Sequence, residues 1–82
     1  MTRAARRYYL TVPTMAYPKG RVALHLPGPD AVYVVDHTGQ WDRIVERDQP
    51  GEDWTPLTAR AAKTRLSADG HTRAYGDTPR TD

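Results

Sequence analysis

Between Ala31 and Arg47 the chain reads AVYVVDHTGQWDRIVER, and no other stretch limits the possible fold as much. Ala31 to Val35 is rich in β-branched and aromatic residues, which suit a pleated, half-buried surface. Ile44 and Val45 bring the same chemistry on the far side of Asp36-His37-Thr38-Gly39-Gln40. Asp is favoured at the first position of a type I turn, and Gly at the fourth takes a positive φ without a Cβ clash. The spacing therefore predicts a hairpin with a three-residue loop closed by a left-handed glycine.

That loop sets a register. Asp36 faces Gln40, Val35 faces Trp41, Tyr33 faces Arg43 and Val32 faces Ile44. Side chains alternate between the faces of a strand. One face of the hairpin then carries Val32, Val34 and Ile44, with Asp42 and Glu46 towards its margin. The other carries Ala31, Tyr33, Val35, Trp41, Arg43 and Val45. The expected role of Tyr33, Trp41 and Arg43 is packing beneath another segment, because a chain this short has little apolar surface to bury. The alternative is an exposed aromatic and guanidinium platform for a partner.

On either side the pattern continues. Arg6 to Val12 reads as a strand ended by Pro13, with Tyr8, Leu10 and Val12 on one face. Thr14 to Gly20 is a loop. Arg21 to Leu26 alternates with period two and is the second strand. Pro27-Gly28-Pro29-Asp30 carries a type II turn signature, and so short a connection makes strands two and three antiparallel neighbours. Strands two, three and four form a meander, and the pairing of the first strand is left open. After the acidic loop Asp48 to Asp53, Thr55 and Pro56 look like a helix N-cap and first helical position, with Trp54 as a staple onto Ala59. Leu57 to Ala68 holds good helix formers, and Gly70 ends the helix in the left-handed conformation. A hairpin turn at Asp69-Gly70 is the competing reading.

The expected fold is thus α+β: an antiparallel sheet of three to four strands with one C-terminal helix packed on it. A small SH3-like barrel with an appended helix is the alternative. Residues 1–5 are expected to be a frayed basic N-terminus, 6–70 a single domain, and 71–82 a disordered polar tail.

Composition excludes several functions. Among 82 residues there is no Cys, so disulfides, thiolate metal sites and Cys nucleophiles are ruled out. No apolar run approaches the roughly 18 residues that span a bilayer, and no long apolar segment follows Arg3, Arg6 and Arg7 as a signal peptide would require. A cytoplasmic protein without membrane partners is expected. His25, His37 and His71 lack a recognised ligand spacing, so neither a metal nor another cofactor is expected. No nucleophile elbow, phosphate-binding glycine loop or paired carboxylate signature appears, and the chain is not expected to be an enzyme.

The net charge of +2 conceals an alternation along the chain: residues 1–30 sum to +4, residues 31–54 to −4 and residues 55–82 to +2. Three functional readings follow. The first is a small interaction module that binds a protein partner or itself through Tyr33, Trp41 and Arg43, since one short helix leaves apolar sheet to cover. The second is a nucleic-acid binder. Arg6 and Arg7 lie beside Tyr8 and Tyr9, Arg60 and Lys63 lie one helical turn apart, and Lys and Arg supply phosphate contacts. The third is a small ribonuclease-type toxin, whose chemistry needs little more than His, Arg and a carboxylate.

Overall fold

The computed structural model describes residues 6–76. The expected frayed start at 1–5 and residues 77–82 of the expected disordered tail lie outside them. Five strands and two helices follow in order: β1 Arg7–Leu10, β2 Val22–Leu26, β3 Ala31–Val35, β4 Trp41–Arg43, β5 Thr55–Leu57, α1 Ala59–Ala68 and α2 Thr72–Gly76. The strands make one antiparallel sheet in the order β4-β3-β2-β1-β5. The α+β class and the helix on the sheet are as expected, with one strand more than the sequence suggested. The sheet is open, with β4 and β5 at its edges, so the barrel alternative does not hold.

The central hairpin has the register read from the sequence: Val35 opposite Trp41 and Tyr33 opposite Arg43. The Asp36 amide donates to the Gln40 carbonyl at 2.8 Å, and Gly39 sits at φ +86°. Asp36 fixes the loop from inside. Its Oδ1 accepts from the Thr38 amide at 2.8 Å, the Thr38 hydroxyl at 2.7 Å and the Gln40 amide at 2.9 Å.

The β2–β3 turn corrects the type II expectation. The Asp30 amide donates to the Pro27 carbonyl at 3.3 Å, and the left-handed residue is Asp30, at φ +53°, not Gly28. Asp tolerates this region because its short polar side chain relieves the usual penalty.

The open question of β1 is resolved by two pairings. It lies antiparallel to β2, with Tyr8 opposite Leu24, and antiparallel to β5, with Tyr9 opposite Pro56. This second pairing overturns the expected helix start. Thr55, Pro56 and Leu57 are an edge strand, a place where proline's missing N–H is tolerated. Thr58 is the N-cap, its hydroxyl accepting from the Ala61 amide at 3.1 Å. Trp54 packs against Tyr9, with ring centroids 6.5 Å apart. The helix end is as expected and excludes the hairpin alternative. Gly70 is at φ +80°, and the Gly70 and His71 amides donate to Ser67 and Leu66 carbonyls at 3.1 and 2.7 Å, a Schellman closure.

Topology explains how both sheet faces are covered. β4 and β5 lie at opposite edges, so residues 44–54 must cross four inter-strand gaps of about 4.8 Å each. Eleven residues reach that far. They begin where the Ile44 amide extends the ladder to the Val32 carbonyl and end with Trp54 on Tyr9, on the face of Ala23, His25, Val32 and Val34, which is buried although the helices lie on the other side. The helices cover the other face. There Tyr8, Val22, Leu24, Leu26, Ala31, Tyr33 and Val35 form the core with Ala62, Leu66 and Ala74. Full burial of each large aliphatic side chain contributes about 1.5–3 kcal/mol.

α2 falls where a disordered tail was expected. Its Ala74 is fully buried, and its Ala74 carbonyl accepts from Trp41 Nε1 at 2.8 Å. A five-residue helix has too little periodicity to read, and tertiary contacts hold it.

Candidate nucleic-acid interface

The hairpin residues singled out as a partner platform range from buried to exposed. Tyr33 is 1% exposed and offers no surface to a partner. Trp41 is half-buried and tied to α2 through its indole N–H. Arg43 is exposed on the edge strand. The structure therefore gives the aromatic pair the packing role.

The basic residues are arranged differently. Arg6 extends the β1 face that carries Tyr8, and its Nη1 donates to the Tyr8 hydroxyl at 3.3 Å and the Tyr75 carbonyl at 3.4 Å. Tyr75 stacks on Tyr8, with centroids 5.8 Å apart and planes 18° apart. Lys63 places its Nζ 5.8 Å from the centre of the same Tyr75 ring. Residues from β1, α1 and α2 thus converge on half-buried Tyr75, with Lys63 beside its ring and Arg6 on its backbone carbonyl. Arg60 is exposed one turn before Lys63. Arg7 does not join them. Strand alternation puts it on the opposite face, paired with His25. Tyr75 was missed in the sequence because it lies in the segment read as a tail.

Charge follows the layers of the fold. Residues 58–76, the helical layer, carry Arg60, Lys63, Arg65 and Arg73 against Asp69 alone. Residues 44–54, on the other side of the sheet, carry Glu46, Asp48, Glu52 and Asp53 against Arg47 alone. Arg47 stacks on Trp54 at 5.1 Å within that acidic layer.

A second polar cluster sits at the end of the sheet. A cleft of about 400 Å³ is bounded by the 16–21 loop, the β3–β4 turn and the α1–α2 junction. Tyr17 and His37 stack there with centroids 5.0 Å apart, and the Tyr17 hydroxyl lies 3.1 Å from His37 Nε2. Arg21 covers the Tyr17 ring at 4.2 Å. His71 packs against Gly39, where a Cβ would come within 2.8 Å of its Nδ1. The hydrogen bond from the Thr38 hydroxyl, followed by that from the Gln40 amide, holds the Asp36 carboxyl below its ordinary range. Sequence reading noted these histidines singly, and nothing in their spacing announced that a loop, a turn and a helix junction would meet.

Among the described residues, no group of three or more His, Asp or Glu side chains gathers to hold a metal ion. Nor is any helix among them long and apolar enough to cross a membrane. No family model matches the chain, and neither a curated protein nor a solved structure matches it.

Proposed function

We propose that this protein binds nucleic acid through its helical layer, with Arg6, Arg60 and Lys63 as phosphate contacts and Tyr75 as an adjacent aromatic surface. The observation that carries this reading is the segregation of charge by layer. The helical side is basic and the 44–54 side is acidic, with a covered sheet between them. Lys and Arg contacts to phosphates supply affinity without reading sequence, and aromatic rings beside them stack bases. Arg7, on the other face, is not assigned to the contact.

Two other readings draw less support. An interaction module needs exposed apolar surface, and here the helices cover one sheet face while residues 44–54 cross the other. The large apolar side chains exposed among the described residues are Val12 and Met15, both in the β1–β2 loop, and Val45 after β4. Single exposed apolar residues are ordinary on soluble proteins. A ribonuclease-type activity would rest on the histidines of the sheet-end cleft rather than on the basic face.

The test is a fluorescence anisotropy titration with mixed-sequence single-stranded DNA and RNA at low and moderate salt. Affinity is expected to fall steeply with salt. Arg60→Gln and Lys63→Gln should each weaken binding uniformly across sequences and reduce the logarithmic salt slope by about 1. Binding that is flat with salt, or absent at low salt, rules the reading out.

A further inference from the structure

We propose that the cleft at the end of the sheet is a binding site for a phosphate group, separate from the basic helical face and built from Arg21, Arg65, His71 and the Tyr17–His37 pair.

Two carboxylates line the cleft, and both are engaged within the fold. Asp36 spends one oxygen on three donors of its own turn. Asp69 accepts from Arg65 Nε at 3.0 Å. Asp69 is thus neutralised in an ion pair within the fold, while Asp36 keeps its charge and is tied to its own turn.

The cations keep donors in reserve. Arg65 is held at three points, since beyond Asp69 its Nη2 donates to the Lys19 carbonyl at 3.0 Å and the Gly20 carbonyl at 2.9 Å. Its Nη1 makes no hydrogen bond among the described residues. The guanidinium is therefore fixed in direction while one nitrogen remains available. Arg21 is likewise positioned by a long bond from Nη1 to the Val35 carbonyl, 3.5 Å, and by lying on the Tyr17 ring. Its Nη2 also makes no hydrogen bond among the described residues. Two planar guanidinium groups held in place, each with spare N–H groups, suit the paired oxygens of a phosphate. Because both are already ordered, binding costs little side-chain entropy.

Histidine completes the set. The His71 ring, half-buried in the same cleft, makes no hydrogen bond among the described residues and is seated against Gly39. The glycine is a requirement of this seat as well as of the turn, because a Cβ would collide with the imidazole. The Tyr17–His37 stack forms a flat wall beside these donors, with His37 outermost and exposed. A phosphate joined to a planar base would find both its charge and its ring matched. Lys19, exposed at the rim, adds long-range attraction.

The shared chemistry is a phosphate group, and its source is either a free nucleoside phosphate or the end of a nucleic-acid strand. Two-dimensional amide and imidazole NMR on the full chain separates these. The probes are inorganic phosphate, adenosine 5′-monophosphate, and one oligonucleotide with and without a 5′-phosphate. Inorganic phosphate at millimolar concentration should shift the signals of residues 17–21, 37 and 71. The nucleotide should bind more tightly than phosphate alone. A preference for the 5′-phosphorylated oligonucleotide over its hydroxyl form identifies a strand end as the source. Equal binding of the two forms, with the mononucleotide still seated in the cleft, identifies the free nucleotide.

Arg21→Gln and, separately, His71→Gln should each weaken phosphate binding at least about tenfold, the scale of losing one charge-assisted contact. Lys63→Gln, on the helical face, should leave it unchanged. If either cleft variant unfolds, the titration of the unaltered protein still decides. No shifts at the cleft with any probe, or shifts confined to residues 60–64 and 75, overturn the proposal. Loss of oligonucleotide binding in Lys63→Gln with the cleft response intact would separate this site from the nucleic-acid face.

Discussion

His25 shows how a residue's position decides its energetic sign. It lies in β2, 5% exposed, and neither ring nitrogen has a hydrogen-bond partner among the described residues. A buried polar group without a partner keeps its desolvation cost, while an apolar group of similar size does not. His25→Leu is accordingly expected to leave stability unchanged or raise it by about 1 kcal/mol. Urea denaturation measures this, and a loss of more than that amount would show that the imidazole has a partner in solution. Asp36 carries the opposite sign. Its carboxyl titrates below the ordinary value of 3.8, chiefly because the Thr38 hydroxyl donates to it. A depressed folded value means that the stability it contributes is present above the unfolded value and lost as pH falls through the folded one. Melting temperature should therefore drop below about pH 4 in the unaltered protein. The drop should be shallower in Asp36→Asn, and equal acid sensitivity in both proteins would refute the assignment. Gly39→Ala should destabilise by about 1 kcal/mol or more, since it places a Cβ at positive φ and against His71.

At the scale of the element, the two threonines before α1 make a controlled pair. Both Thr55 and Thr58 precede helix-forming sequence, and either one satisfies the local cap pattern. Thr58 holds the cap because Thr55 to Leu57 are taken up by pairing with β1. Thr58→Ala should cost about 1 kcal/mol. Thr55→Ala should cost less, being an exposed edge-strand position, and the reverse ranking in thermal melts would restore the earlier helix start. α2 offers a second test. Its five residues are too few to be stable alone, so its order depends on Trp41 and Tyr8. Trp41→Phe keeps a ring but removes the indole donor to Ala74. The expected outcome is faster amide exchange across residues 72–76 with α1 still protected. The hairpin was legible because its signals are local: β-branched residues, an Asp-to-Gly loop and period-two alternation. The helix end was legible for the same reason. The edge strand and α2 were not, because each is stabilised by partners distant in sequence.

For the whole molecule, the consequential arrangement is three layers: an acidic crossing segment, a sheet and a basic pair of helices. Neutralising Glu46 and Asp48 should change nucleic-acid affinity far less than neutralising Arg60 and Lys63. Exposed charges separated by more than about 10 Å are largely screened at ordinary ionic strength. Anisotropy titrations of the two double variants measure the difference, and equal effects would argue against a layered field. Part of this was visible in the chain, since the acidic and basic runs alternate along it. Which runs would meet and which would oppose one another was not visible. Arg6 and Arg7 are neighbours in sequence, yet the pleat sends Arg6 to the Tyr75 side and Arg7 to the His25 side.

The sequence by itself determined the elements whose causes lie within a few residues. These are the register of the central hairpin, the alternation in β2 and the glycine that closes α1. It also determined what the chain lacks, above all cysteine chemistry. Tertiary structure decided where the edges of the sheet lie and that Thr55–Leu57 is a strand. It also placed Ala74 in the core, and brought Tyr17, His37 and His71 to one cleft and Arg6 and Lys63 to one residue, Tyr75. The physical reason is the range of the interactions. Turns, caps and side-chain alternation are set by adjacent backbone geometry, whereas edge pairing, burial and charge layering arise only when distant segments share a surface.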